Sequence, residues 1–205
     1  IAHSQGELAV ARSAERAGLP YALSTLGTPS IEEVAEASDG DKWFQVYVWK
    51  DRGLVNEMLD RAAAVGYSTA VITVDTAMFG RRERDVRRGF TLPPRIGPGT
   101  IIDGMLNPSW SWDFMRAEPI MFANVTGKSV GDGSDPISLA EYVADQMDPG
   151  LSWEDIDRFR EQWPGKLTIK GIQTVVDAKI AADRGVDAVI LSNHGGRQLD
   201  DAPAP

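Results

Sequence analysis

The chain has 205 residues, of which 42% are hydrophobic and 25% are charged, and these proportions are typical of a soluble globular domain. Its formal net charge of −9 argues against a nucleic-acid-binding surface, which needs clustered lysine and arginine. The absence of cysteine excludes disulfides and thiolate chemistry, and no apolar run is long enough to predict a transmembrane helix.

Short apolar segments alternate with helical patterns along the chain. Helices are predicted after Ser30, whose partner Glu33 completes a capping box, over residues 54–65, and after Thr174. The apolar segments between the helices are nearly continuous, as expected for parallel strands that are covered on both faces. The predicted strands are 21–26, 43–49, 69–75, 167–172 and 187–193. This alternation indicates parallel βα units.

One connection is much longer than the others. Residues 80–151 separate the third strand from the last helix before the fourth, and they are rich in proline, glycine and tryptophan. Such a long insertion in a compact domain is typical of a functional lid or a partly disordered segment. Its tryptophan-rich part, residues 108–122, fits core packing, a lid and a membrane-facing patch equally well.

Polar residues occur towards the carboxyl end of every predicted strand. They are Ser24 and Thr25, Gln45 and Tyr47, Thr73 and Asp75, Lys170, and finally Ser192, Asn193 and His194. In a βα barrel that edge holds the active site, whereas a doubly wound sheet binds ligands mainly near one switch point. We therefore predict an α/β fold of the (β/α)8 TIM-barrel class. Since only five units are evident, residues 1–205 are expected to be a single domain truncated at both ends.

Each of these polar residues also has an ordinary structural interpretation. A histidine after a strand is usually a hydrogen-bonded structural residue, and Lys170 alone would be a solvated rim residue. Asp75 could simply cap the turn that follows its strand, and Tyr47 could be a packing residue of the core. The arginines within residues 80–90 fit a solvated helix face. The residue types alone do not decide between these alternatives.

Five segments, in order, resemble a known family. They are LSTLGTPSIEEVA, WFQVYVWKDR, VITVDTAMFGRRERDVRRGF, PGKLTIKGI and SNHGGRQLD. They resemble the FMN-dependent L-2-hydroxy-acid dehydrogenases and oxidases, and above all the bacterial respiratory L-lactate dehydrogenases. The resemblance implies that FMN is the cofactor and that L-lactate is oxidised to pyruvate, with a quinone or cytochrome as electron acceptor. The alternatives are an oxygen-using oxidase of glycolate, mandelate or a modified peptide, and a non-catalytic fragment without flavin.

The resemblance also implies roles in substrate binding and proton transfer. His194 would be the general base, since an imidazole can accept a proton near neutral pH. Asp75 would orient the imidazole and stabilise its protonated form. Arg82 and Arg197 would bind the substrate carboxylate, because a guanidinium can bind two oxygens at once. Tyr47 would hydrogen-bond the substrate.

A second group of residues would hold the flavin. By the same resemblance, Lys170 would lie beside the pyrimidine ring of FMN and stabilise the negative charge of the reduced flavin. Ser24, Gln45 and Thr73 would hydrogen-bond the ring system. Leu26 stands where glycolate oxidases resemble each other in having tryptophan, and the smaller side chain favours a substrate larger than glycolate.

The family resemblance extends to assembly and location. It implies a homo-oligomer, often a tetramer, in the cytoplasm, with or without peripheral attachment to the inner face of the cell membrane. It implies no metal site. It also places one barrel strand before Ile1 and two strands after Pro205, so we expect the chain to be the middle of a longer protein.

Overall fold

The computed structural model describes residues 5–76, 87, 97–116, 122–125, 145–199 and 202–205. Its strands are β1 (Tyr21–Ser24), β2 (Lys42–Tyr47), β3 (Thr69–Thr73), β4 (Lys166–Ile172) and β5 (Ala188–Leu191). Its helices are α1 (Gly6–Arg16), α2 (Ile31–Ala37), α3 (Arg52–Ala64), α4 (Pro98–Leu106), α5 (Pro108–Arg116), α6 (Trp153–Gln162) and α7 (Val175–Asp183).

The five strands form one parallel sheet in the order β1-β2-β3-β4-β5. Each strand thus pairs with its neighbour in sequence, and the order contains no reversal of the kind that creates a switch point in a doubly wound sheet. This topology is that of an arc of a βα barrel, and it confirms the predicted fold class. It also brings every strand's carboxyl end to the same edge.

The core lies between the sheet and the helices that follow its strands. All five residues of β3 are buried, as expected of the central strand. Helix α3 buries one face, including Leu54, Met58 and Leu59, in agreement with the apolar spacing in the sequence. Apolar contacts of this kind hold the strands in register and so fix where their carboxyl ends lie.

Side-chain caps begin the helices at the predicted residues. Ser30 and Glu33 form both hydrogen bonds of a capping box, at 3.0 and 2.7 Å. Thr174 accepts a hydrogen bond from the backbone N–H of Asp177 at 3.0 Å and so begins α7. At α2 and α7 these local signals place the helix start at the predicted residue. The sequence also suggests a capping box between Ser4 and Glu7, but α1 begins after Gln5 without a side-chain cap, and the Glu7 carboxylate instead accepts hydrogen bonds from Thr28.

The long connection contains helices α4 and α5 and two short segments that pack on the barrel. Asn124 and Val125 are buried, and Asn124 accepts a hydrogen bond from the backbone N–H of Ile31 at 2.9 Å. Met147 forms an isolated antiparallel bridge with Trp49. No helix within the described ranges is both long and apolar enough to cross a bilayer.

Candidate active site

Polar side chains from four neighbouring strands lie along the carboxyl edge of the sheet. Ser24 pairs in register with Gln45, and Thr73 pairs with both Tyr47 and Lys170. The predicted convergence of these residues therefore follows directly from the strand register. Side chains at this edge hydrogen-bond to one another in two separate groups.

Three of these residues form a ladder of side-chain hydrogen bonds. The Ser24 hydroxyl donates to Gln45 Oε1 at 2.9 Å, and Gln45 Nε2 donates to Thr73 Oγ1 at 2.6 Å. The bonds fix the orientation of the Gln45 amide, because its oxygen must face a donor and its nitrogen an acceptor. The second amide hydrogen of Gln45 and the hydroxyl hydrogen of Thr73 can still donate to a ligand.

A second group combines a carboxylate, an imidazole and an ammonium. Asp75 Oδ1 lies 2.8 Å from His194 Nδ1, and Asp75 Oδ2 lies 3.5 Å from Lys170 Nζ. The Asp75 side chain is only 5% exposed. A carboxylate buried to this degree needs several donors, and the surrounding residues supply them.

These contacts select one tautomer of His194. An ionised carboxylate only accepts hydrogen bonds, so the 2.8 Å contact places the ring proton on Nδ1. Lys170 Nζ, 3.4 Å from Nδ1, then faces another donor and does not hydrogen-bond to it. Nε2 becomes the ring's acceptor and lies 3.5 Å from Tyr47 Oη. The imidazole is thus oriented to take up a proton at Nε2.

The backbone of His194 has an unusual conformation. Its φ of 59° lies in the left-handed region, which is uncommon for a residue with a side chain. Gly195 and Gly196 also have positive φ, at 70° and 67°, so the chain turns sharply straight after β5. The turn aims the imidazole back towards Asp75 instead of continuing the strand. Strained backbone of this kind is concentrated at functional sites.

Gly171 allows Asp75 to approach the fourth strand. Its φ is +114°, and the register of β4 against β5 shifts between Lys170 and Ile172. A Cβ on Gly171 would lie 2.7 Å from Asp75 Cβ and 2.8 Å from its backbone nitrogen. Only glycine leaves room for the Asp75 backbone here, and the close approach brings its carboxylate to Lys170.

The other predicted site residues lie in different settings. Tyr47 is partly buried and faces His194, with the two ring centroids 6.3 Å apart. Arg197 is exposed in the turn that follows His194. Arg82 lies outside the described residues. The structure therefore brings together seven of the nine predicted site residues, namely Ser24, Gln45, Tyr47, Thr73, Asp75, Lys170 and His194.

The sequence did not assign a role to Ser192 or Gly171. The Ser192 hydroxyl lies 3.1 Å from Lys170 Nζ and 3.2 Å from Asp75 Oδ2, at the centre of the charged group. A polar residue at a strand end was the available signal for Ser192. For Gly171 the signal was a glycine inside a strand, which often indicates a bulge or a close backbone approach.

Comparisons with known proteins point to one family. The family model for FMN-dependent dehydrogenase matches residues 1–205. The chain is 42% identical over 201 residues to (S)-mandelate dehydrogenase of Pseudomonas putida, covering 98% of this chain and 50% of that protein. It is 41% identical over 200 residues to L-lactate dehydrogenase of Pseudomonas paraeruginosa (strain DSM 24068 / PA7), covering 96% of this chain and 51% of that protein.

A solved structure shares the fold. The crystal structure of the monotopic membrane protein (S)-mandelate dehydrogenase matches with a TM-score of 0.88 and 42% identity, over 97% of this chain and 52% of that one. The chain spans about half the length of the curated relatives it matches. A family model that matches the whole chain, together with this fold, identifies the protein as a member of the FMN-dependent dehydrogenase family.

Proposed function

We propose that the full-length protein oxidises an L-2-hydroxy acid with FMN as the electron-accepting cofactor. The observation that carries the proposal is the Asp75–His194 pair, whose Nε2 faces Tyr47 on the same sheet edge as the polar ladder. An oriented base beside a hydrogen-bonding surface is the arrangement that proton abstraction from a bound hydroxy acid requires.

The polar ladder and Lys170 fit the edge of a flavin ring. Gln45, Thr73 and Lys170 each have donor hydrogens beyond those bonded to other described residues, and they can bond to ring nitrogens and carbonyl oxygens. Lys170 adds a positive charge, which favours a ring that becomes anionic on reduction. When bound, FMN would accept the two electrons of the oxidation. The protein's part is to orient the ring and to supply this electrostatic environment.

His194 would take the substrate's proton at Nε2. The carboxylate of Asp75 stabilises the resulting imidazolium through the 2.8 Å contact with Nδ1. The hydroxyl of Tyr47, which lies 3.5 Å from Nε2, would hydrogen-bond the same substrate. We infer that Arg197 and Arg82 bind the substrate carboxylate, and the exposed position of Arg197 beside His194 suits a residue that meets substrate from solvent.

L-lactate is the proposed substrate, and (S)-mandelate is the second candidate. Leu26 lies partly buried next to Ser24, and its aliphatic side chain leaves room for a substrate larger than glycolate. The chain is about equally similar to a relative named L-lactate dehydrogenase and one named (S)-mandelate dehydrogenase. We propose a quinone or cytochrome as acceptor, with oxygen as the alternative.

We also propose that residues 1–205 form one domain of a longer chain, and that this protein is a cytoplasmic homo-oligomer. Residues 80–151 would be an insertion that contacts a membrane surface. Within this insertion, helices α4 and α5 bury none of their residues. They expose a set of large apolar side chains: Ile101, Ile102, Met105, Leu106, Trp110, Trp112, Phe114 and Met115. Such a pair of helices suits the apolar boundary of a bilayer. A solved relative described as a monotopic membrane protein supports the same proposal.

The first experiment measures flavin binding and turnover in the full-length protein. We expect flavin absorbance after purification and oxidation of L-lactate with a quinone, compared in parallel with (S)-mandelate, glycolate and oxygen. His194→Gln should keep the flavin and lose at least about 10²-fold in kcat/KM, as is typical for a general base. Protein that stays colourless after FMN is added, or a His194→Gln variant with full activity, would contradict the proposal.

The membrane proposal has its own test. Met105→Glu with Met115→Glu should abolish co-sedimentation with anionic phospholipid vesicles. Leu19→Glu is the matched control, because Leu19 is 60% exposed elsewhere on the described surface and should leave binding unchanged. Equal binding by all three proteins would show that α4 and α5 do not contact the membrane.

A further inference from the structure

The Ser192 hydroxyl uses its whole hydrogen-bonding capacity within the charged group. It accepts from the backbone N–H of His194 at 3.0 Å and from Lys170 Nζ at 3.1 Å. Both of those groups are donors, so its own hydrogen goes to Asp75 Oδ2, 3.2 Å away. One donor and two acceptors are all that a hydroxyl offers, and here each has a partner.

We propose that Ser192 is a positioning residue that holds the ammonium of Lys170 at a long 3.5 Å distance from the carboxylate of Asp75 and holds the backbone of His194 in its left-handed turn. The inference rests on the proposed function, because it gives Asp75 and Lys170 separate tasks. Asp75 serves the imidazole, and Lys170 remains available to the flavin.

The distances show why a hydroxyl is needed. Within the described part of the chain, Lys170 Nζ has two acceptors in reach, Ser192 Oγ at 3.1 Å and Asp75 Oδ2 at 3.5 Å. If the hydroxyl is removed, only the carboxylate remains, and the ammonium moves onto Oδ2. That bond joins two opposite charges, whereas the bond to the hydroxyl that it replaces has only one charged partner, so the ammonium is held more strongly at the carboxylate.

Removal of the Ser192 hydroxyl should affect His194 by altering the interactions of Asp75. Within the described ranges, the titratable groups that face the imidazole are Asp75 after β3, Lys170 on β4 and Tyr47 on β2. An Asp75 carboxylate that is paired with an ammonium stabilises the imidazolium less, so the pKa of His194 should fall. The backbone N–H of His194 also loses its acceptor, which loosens a residue whose φ is already 59°.

The test compares Ser192→Ala with wild type in the full-length, flavin-loaded protein. NMR titration of the His194 imidazole, assigned with His194→Gln, should show a pKa lowered by at least about 0.5 unit. The value of kcat/KM should fall about 10-fold, with its acidic limb moved to lower pH because the base must be deprotonated to act. Ser192→Thr keeps the hydroxyl and should restore most of both values.

Two further variants make the test specific. In a Lys170→Met background, Ser192→Ala should no longer lower the pKa of His194, because no ammonium is left to approach Asp75. Ser38→Ala is the matched control. Ser38 likewise donates to a carboxylate, Glu15, and accepts from a backbone N–H two residues later, but it lies outside the site. It should change neither the titration nor the activity.

The opposite results would overturn the inference. A pKa for His194 that is unchanged or raised in folded Ser192→Ala would show that Ser192 does not restrain Lys170. If Ser192→Ala lowered the pKa of His194 equally in the wild-type and the Lys170→Met backgrounds, the conclusion would be the same. The titration does not depend on turnover, so a wild type that fails to oxidise any hydroxy acid would refute the proposed function and leave this comparison intact.

Discussion

Substituting Gly171 by alanine perturbs the site at the point where β4 and Asp75 are closest. The new Cβ would lie 2.7 Å from Asp75 Cβ, 2.8 Å from its backbone nitrogen and 2.9 Å from Cγ, distances that real Cβ atoms essentially never show. The atoms belong to the backbone and the base of the side chain, so no rotation of the Asp75 side chain relieves all three contacts. Asp75 itself must move.

The size of the effect follows from these distances. Asp75 must withdraw by about 0.7 Å to reach ordinary van der Waals contact at 3.4 Å. A shift of that size can stretch the 2.8 Å bond to His194 to the limit of a hydrogen bond. Because a misplacement of about 1 Å can cost about 10²-fold in rate, we expect kcat/KM to fall about 10- to 100-fold. The positive φ of 114° should add a stability loss of about 1–3 kcal/mol.

Gly185→Ala separates the two effects. Gly185 also has a positive φ, +74°, but apart from its own chain neighbours no atom of the described residues lies within 4 Å of its ideal Cβ position. The control should therefore lose about 1–2 kcal/mol of stability and keep full activity. Denaturant unfolding and kcat/KM for L-lactate would be measured on both variants of the full-length protein. If Gly171→Ala keeps wild-type kcat/KM, the close approach of Asp75 is not needed for activity.

Three further predictions concern stability. Glu32 forms a partly exposed, two-bond ion pair with Arg61, and the hydrogen bonds from Arg61 lower the pKa of Glu32. Glu32→Gln breaks this pair and should cost about 0.5–1 kcal/mol of stability, and less at high salt. Urea unfolding at low and high salt would measure the loss, and an unchanged midpoint would contradict it. Burial alone would raise the pKa of Asp155, but hydrogen bonds from the Ser152 backbone and from Arg52 outweigh it and lower the pKa below 3.8. The ionised carboxylate therefore stabilises the fold above that pH, and the stabilisation is lost as the pH falls. In Asp155→Asn the free energy of unfolding should decrease less steeply as the pH is lowered than in wild type. The same decrease in both proteins would refute this. Asn124→Ala leaves the buried N–H at the start of α2 without its acceptor and should cost about 1–3 kcal/mol in thermal unfolding, whereas Asn124→Asp keeps an acceptor there and should cost less.

Much of the fold was predictable because its signals are local. Ser30 and Thr174 are helix caps by side-chain chemistry alone, and both begin helices in the structure. The apolar strands were recognisable because parallel strands are covered on both faces. Their ends were less certain, and β1 ends at Ser24 and β5 at Leu191, each two residues before the predicted boundary. Strand pairing beyond these positions depends on neighbouring chain segments, which a local pattern does not contain.

The sequence by itself determined the parallel βα order, the edge at which the polar residues gather and the family to which the chain belongs, since each depends on residue types and their order. Only the tertiary structure decided how these residues touch. Ser192 is 117 residues from Asp75 and 22 residues from Lys170 in the sequence, yet it joins the two. The approach that Gly171 permits is a contact between β4 and the loop that follows β3. Such contacts depend on strand register and on backbone angles such as the positive φ of His194, which arise when distant segments pack together.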